Sequence, residues 1–315
     1  MQQHRIAPAA NPSARLSRRE FLHTAGTAAL ASALAPALAS AADAQSPKAL
    51  VGSQSYGWGQ YYQREGLDLD AHLDDVMSAL RDAGYDYLET NLDAATPENN
   101  ARLAERLRAK GLQPVCLYVG ARLHDEKAGD VVERILAAAK VCRAAGFRVI
   151  NCNADPIGRE KTDTELQTQV AAMKQLGAGL RALGLALGIH QHTPEMADHA
   201  REFHYNFDHS AAGVVDWCFD VHWVYRGGLA PLVALREYGD RVVSWHLRQS
   251  RGGIWWEELA PGDVDYPAVA AAAQARGCAC RYAVELALEN GTKITRSAVE
   301  NHRRSREYVR QVFGV

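Results

Sequence analysis

ALGLALGIHQHTPEM, residues 182–196, joins two kinds of chain. Ala182 and Leu183 close a helix-like segment, Gly184 interrupts it, and Leu185 to Ile189 run on as an apolar strand. A glycine just past a helix end adopts the left-handed conformation at little cost. The strand is apolar on both faces, as in a parallel sheet covered by helices. It then ends in two histidines. Side chains on a strand alternate with a period of two, so His190 and His192 share one face.

The same join recurs in DAGYDYLET, AKGLQPVCLYV, AAGFRVINCN, AAGVVDWCFD, EYGDRVVSWH and ARGCACRYAVE, at Gly84, Gly111, Gly146, Gly213, Gly239 and Gly277. The segments before these glycines carry helical spacing, such as Leu73, Val76, Met77 and Leu80. With an opening strand at KALVGSQ, the pattern predicts eight strand–helix units at intervals of 26 to 38 residues. That is an α/β chain folded as one (β/α)8 TIM barrel over residues 45–315, closed by a last helix over Ile294–Phe313. An open doubly wound sheet competes, but no Gly-rich dinucleotide turn follows the first strand.

The 315 residues carry a net charge of −2 and are 47% apolar, enough for a full core. No basic stripe marks a nucleic-acid partner. The six cysteines (Cys116, Cys142, Cys152, Cys218, Cys278, Cys280) mostly sit in apolar runs and read as buried thiols. The CAC at Cys278–Cys280 lacks the spacing of a redox or zinc pair.

Residues 1–44 read separately. SRREFLHTAG (Ser17 to Gly26) sets Arg18 and Arg19 before an Ala-rich stretch, the order of a signal peptide. It resembles a twin-arginine signal, with His23 where lysine is common. Cleavage is expected near ADAQ, Ala42 to Gln45, with export of a folded protein to the periplasm or beyond. Pro36 and the many Ala and Ser make a poor membrane span, so no anchor is expected after processing.

In a barrel of this kind the active site lies at the C-terminal strand ends. The polar residues there are Gln54, Glu89 and Asn91, Tyr118, Asn151 and Asn153, His190 and His192, Asp220 and His222, His246 and Arg248, and Glu285. His190, Asp220, His246 and Glu285 come one each from strands five to eight. Two imidazoles and two carboxylates suit one divalent metal ion such as manganese, iron, cobalt or zinc, with magnesium also open, and loading in the cytoplasm before export favours manganese through availability rather than affinity. The inward residues two places back, Gly188, Cys218, Ser244 and Ala283, are small and leave room for it. Each ligand also has a plainer role open to it: Asp220 as a cap, Glu285 as an ion-pair partner of Arg248 or Arg281.

The strand ends LGIHQHTPEM, CFDVHWVYRGG, WHLRQ…PGDVDYPAV and YAVELALE resemble the xylose isomerase-like TIM barrels, the sugar phosphate isomerase/epimerase superfamily. The resemblance implies a metal held by residues of strands five to eight, which by position are His190, Asp220, His246 and Glu285. Epimerases of that family usually read Glu-Asn-His where this chain has His190-Gln191-His192. Imidazole keeps a ligand there and removes a carboxylate base.

The expected chemistry is metal-assisted proton abstraction beside a sugar carbonyl, with the base among Glu285, His192, His222 and Glu89. Reprotonation would make an isomerase or epimerase, and expulsion of a β-substituent a lyase. A non-catalytic periplasmic sugar-binding protein is the third reading. Aromatics in SYGWGQYY and GGIWWEEL, with Tyr56, Trp58, Trp255 and Trp256 foremost, are expected to grip the carbohydrate together with Asn151, Asn153 and Arg248. A homo-oligomer is left open.

Overall fold

The computed structural model describes residues 49–315. The predicted leader lies outside the described residues. Eight parallel strands close into a barrel: β1 Leu50–Gln54, β2 Tyr87–Asn91, β3 Cys116–Ala121, β4 Val149–Ala154, β5 Ala186–His190, β6 Asp216–Asp220, β7 Val242–Leu247 and β8 Arg281–Val284. Each strand pairs with its sequence neighbours, and β1 closes the ring against β8. Helices follow the strands on the outside. Among the described residues no helix is long and apolar enough to cross a membrane.

Six of the seven expected joins form as predicted. Gly84, Gly111, Gly146, Gly184, Gly213 and Gly277 all have positive φ. Gly239 does not: its φ is −59° and it opens a short 3-10 turn. A side chain there would have to push Arg276 aside, because a Cβ would lie 2.6 Å from its Nε. The last helix starts later than predicted, at Ala298, where Ser297 caps the backbone N–H of Glu300.

Alternation splits the strands between two cores. Outward residues such as Ile150, Leu187, Trp217, Phe219, Trp245 and Leu247 pack against the helices. Tyr87, Val115, Cys116, Val149 and Ala283 form a second, small cluster that plugs the barrel interior below the rim. Gly52 makes room for this plug, since a Cβ there would stand 2.3 Å from the Tyr87 ring.

One irregularity positions the site. Trp217 pairs with Val242 and Cys218 with Ser244, so Val243 is an unpaired extra residue, a β-bulge in β7. Val243 packs into the interior plug, and beyond the bulge Ser244 and His246 also face inward while Trp245 and Leu247 join the outer core. The register then sets His246 beside Asp220, and His190 beside Asn153 on β4.

Candidate active site

The rim residues enclose a cavity of about 340 Å³. Its wall includes Gln54, Tyr56, Asn91, Tyr118, His190, His192, Trp223, His246, Arg248, Trp255 and Glu285. At its base His190, Asp220, His246 and Glu285 are all buried, and each offers a donor atom within 4.8 Å of the others. His246 Nδ1 there is buried without a hydrogen-bond partner, and His190 turns its Nε2 to within 3.4 Å of Asp220 Oδ2. Opposite ligands of one ion at ordinary bond lengths lie about 4.2 Å apart. The four donors therefore fit a divalent cation after closing by a few tenths of an ångström.

The supporting shell is specific. His246 Nε2–H donates to Glu89 Oε1 at 2.8 Å, which turns Nδ1 toward the cluster, 3.0 Å from Glu285 Oε2. Burial works to lower the His246 pKa, but Cys218, Glu89 and Glu285 beside it hold it well above the ordinary value, so an ion at Nδ1 would replace a proton there. Asn151 Nδ2 donates to the other Glu89 oxygen at 2.7 Å, and Ser244 Oγ donates to Asn151 Oδ1 at 2.7 Å. Gly188 is required beside this chain, because a Cβ would meet Asn151 Oδ1 at 2.5 Å. Glu89 and Asn151 are fully buried. They form no part of the cavity wall; they orient a histidine, as carboxylates behind metal-binding imidazoles do. This corrects the expectation of Glu89 as a base and of Asn151 as a sugar contact.

Both plainer roles are realised alongside the cluster. Asp220 Oδ1 accepts from Trp223 N–H at 2.9 Å and caps the helix Val221–Arg226. Its Oδ2 lies 3.4 Å from His190 Nε2 and accepts from Arg248 Nη2 at 2.6 Å, while the same Nη2 donates to Glu285 Oε2 at 2.8 Å. Burial works to raise both carboxyl pKa values, but the Arg248 charge and the neighbouring histidines outweigh it. Asp220 is held well below the usual range and Glu285 at about 2.

His192 stands on the cavity wall, as its shared face with His190 predicts, with the two rings 4.6 Å apart. Asn153 turns its Nδ2 to the His190 carbonyl and to Glu195 Oε1, so its Oδ1 must accept, and His192 Nδ1–H supplies the bond at 2.8 Å. The free lone pair of His192 is therefore on Nε2. Burial, with His190 beside it, holds the His192 pKa down at about 3, so the ring is neutral. Asn153 thus acts through His192 rather than on the cavity wall.

Other expectations need correction. His222 is off the wall: it is fully buried, accepts from Trp255 Nε1 at 3.3 Å, and is held near pKa 4 by burial and Arg248. Trp58 is no rim aromatic but a core residue, stacked 4.1 Å from His302 and donating to Ser53 Oγ. Trp256 lies under the Arg251 guanidinium rather than on the wall. Tyr56 and Trp255 do line the cavity. Trp223, which sequence reasoning missed, joins them. Its signal was the cap at Asp220, which starts the short helix that carries Trp223 to the cavity wall.

A family model described as xylose isomerase-like TIM barrel matches residues 77–311. No functionally curated protein matches the chain. Among solved structures, a sugar phosphate isomerase/epimerase from Parabacteroides distasonis is 17% identical with a TM-score of 0.67, covering 84% of this chain and 95% of its own. A D-allulose 3-epimerase from a Methylomonas species, in complex with D-allulose, is 17% identical with a TM-score of 0.66 and coverages of 84% and 98%. A probable 3-DHS dehydratase from Bacillus anthracis is 11% identical with a TM-score of 0.58 and coverages of 82% and 98%. At these identities the structures share the fold. The family match spans most of the chain, and the chain belongs to the xylose isomerase-like TIM barrel family.

Proposed function

We propose that the protein is a metal-dependent enzyme of the sugar isomerase/epimerase type, which removes a proton next to the carbonyl of a ketose or keto-sugar. The observation that carries this is the neutral His192, its Nε2 lone pair directed by the Asn153 bond, beside a four-donor cluster in one cavity. A divalent ion held by His190, Asp220, His246 and Glu285 would act as a Lewis acid toward a carbonyl and its neighbouring hydroxyl. His192 Nε2 takes the proton from the carbon between them. Glu285, one residue past the end of β8 and on the same cavity wall, is the second group able to return a proton. Trp223, Trp255 and Tyr56 cover the apolar face of the sugar and limit water.

One observation favours a second reading, a lyase. The β5 position carries imidazole, so among the cavity-lining residues Glu285 is the one carboxylate. A symmetric pair of carboxylate bases is missing, and elimination of a β-hydroxyl or β-glycosyl group needs only one base and one acid. We further propose that residues 1–44 direct the folded protein out of the cytoplasm by the twin-arginine route. The test of function is NMR of a panel of ketoses, keto-polyols and 3-keto-glycosides, incubated in D2O with Mn2+-loaded protein. Deuterium exchange at the carbon next to the carbonyl, with a changed configuration, marks the epimerase. An unsaturated product marks the lyase. Binding with neither exchange nor product would mean a carbohydrate-binding protein and end the catalytic reading.

A further inference from the structure

We propose that Arg248 is a built-in cation of the cluster: it holds the two carboxylates together before an ion arrives and must be displaced for the ion to bind. The inference rests on the metal reading above and concerns how that site is loaded. A single nitrogen, Nη2, bonds both Asp220 Oδ2 at 2.6 Å and Glu285 Oε2 at 2.8 Å, and these residues are two of the four members of the donor set. The guanidinium thus stands between two of the carboxylates that would hold an ion. A divalent ion and a guanidinium cannot share that point, since each would sit within van der Waals reach of the other with charges of the same sign.

The rest of the side chain is built to stay near and yet be movable. Its guanidinium carbon lies 5.2 Å from the centre of the Trp223 ring and 4.7 Å from that of Trp255, so two indoles stabilise the charge. Nε is buried without a partner, so only the terminal nitrogen ties the group to the carboxylates. The backbone, by contrast, is clamped: Arg248 N–H donates to Tyr266 Oη at 3.1 Å, and that hydroxyl donates back to the Arg248 carbonyl. A fixed backbone with a head group that slides along two indole faces can withdraw from the carboxylates without leaving the cavity. In its resting position it prevents the repulsion that two bare carboxylates would suffer in a buried site.

The test is calorimetric titration of chelator-stripped protein with MnCl2, with thermal melts at and without saturating ion, for the wild type, Arg248→Met and Arg248→Lys. Removing the competing charge should tighten Mn2+ binding of Arg248→Met by about tenfold or more. Its ion-free melting temperature should fall, and its gain in melting temperature on adding Mn2+ should exceed that of the wild type. Arg248→Lys keeps the charge and should bind Mn2+ within a few-fold of the wild type. If the wild type binds Mn2+ and Arg248→Met binds it equally or more weakly, the inference is overturned while the metal site stands. If neither protein binds Mn2+, the metal reading fails and takes this inference with it. If Arg248→Met folds only with Mn2+ present, the ion has replaced the guanidinium, as proposed. If it fails to fold even with the ion, the two are not interchangeable and the inference is wrong.

Discussion

Replacing Glu89 by Gln tests the buried chain that orients His246. In the native protein both Glu89 oxygens accept, one from His246 Nε2–H and one from Asn151 Nδ2. Glutamine offers one acceptor and one donor in the same space. If its oxygen serves His246, its NH2 meets the NH2 of Asn151. Turning that amide would make Ser244 Oγ an acceptor and leave its own proton in need of another partner, because Asn151 Oδ1 now accepts from it. If its NH2 instead serves His246, the imidazole must become the Nδ1–H tautomer, and the nitrogen aimed at the cluster loses its lone pair. The first outcome leaves a buried donor unpaired and costs about 1–3 kcal/mol. For a domain of this size each kcal/mol lowers Tm by roughly 2–4 °C. The second spares stability and weakens metal binding, typically by about 10–100-fold. Calorimetric titration with Mn2+ and a thermal melt on the same sample separate the two. A variant with native Tm and native Mn2+ affinity would refute the argument, because it would mean that Asn151 and Ser244 reverse their bond at no cost or that something other than Glu89 orients His246.

Four further perturbations have definite expected outcomes. His192→Ala should keep Mn2+ affinity within a few-fold and lower turnover by about 10²-fold or more, read by steady-state kinetics; undiminished turnover would remove His192 as the base. Asp220→Ala should abolish Mn2+ binding, and the structure adds a fold penalty that a strand-end position alone does not imply. The variant loses the cap on Trp223 N–H and one of two carboxylates facing a buried Arg248, a combination worth about 3–5 kcal/mol by denaturant titration. His302 is buried against Trp58, and burial holds its pKa down at about 4. The unfolded chain binds that proton from pH 6.5 downward and the folded one does not, so stability should fall as pH drops from 6.5 to 4 and level off below. The shift corresponds to about 3 kcal/mol. His302→Phe should flatten that part of the urea-stability profile relative to wild type, and an unchanged slope would show that His302 does not carry it. On export, replacing Arg18 and Arg19 by Lys should leave precursor in the cytoplasm, while unchanged export would point to another route.

Much of the barrel was legible in the chain because its signals are local. A helix period, a glycine and an apolar run need no distant partner to be recognised, and six of the seven expected glycines adopt the left-handed turn. The strand-end rule then named the four members of the buried donor cluster from one sequence. The aromatics were harder to read. Trp58 and Tyr56 lie two residues apart in the same helix, Ser55–Arg64, yet one is core and the other 56% exposed at the cavity mouth. The helix phase decides which, and a ten-residue segment with aromatics on several sides does not show its phase.

The sequence by itself determined the eightfold strand–helix rhythm, the strand ends and the small residues beneath them, since each depends on a few adjacent positions. Only the tertiary structure decided which polar residues face the cavity and which support them. The extra residue Val243 turns Ser244 and His246 inward together, so a strict alternation through all of β7 would have assigned one of its ends to the wrong face. Glu89 and His192 are each two residues from another rim group, and spacing treats them alike. Barrel closure puts Glu89 behind His246 and His192 at the open wall. Arg248 shows the same limit: whether a strand-end guanidinium meets a carboxylate, a sugar or solvent is settled by the ends of two other strands and by two indoles that the fold brings to it.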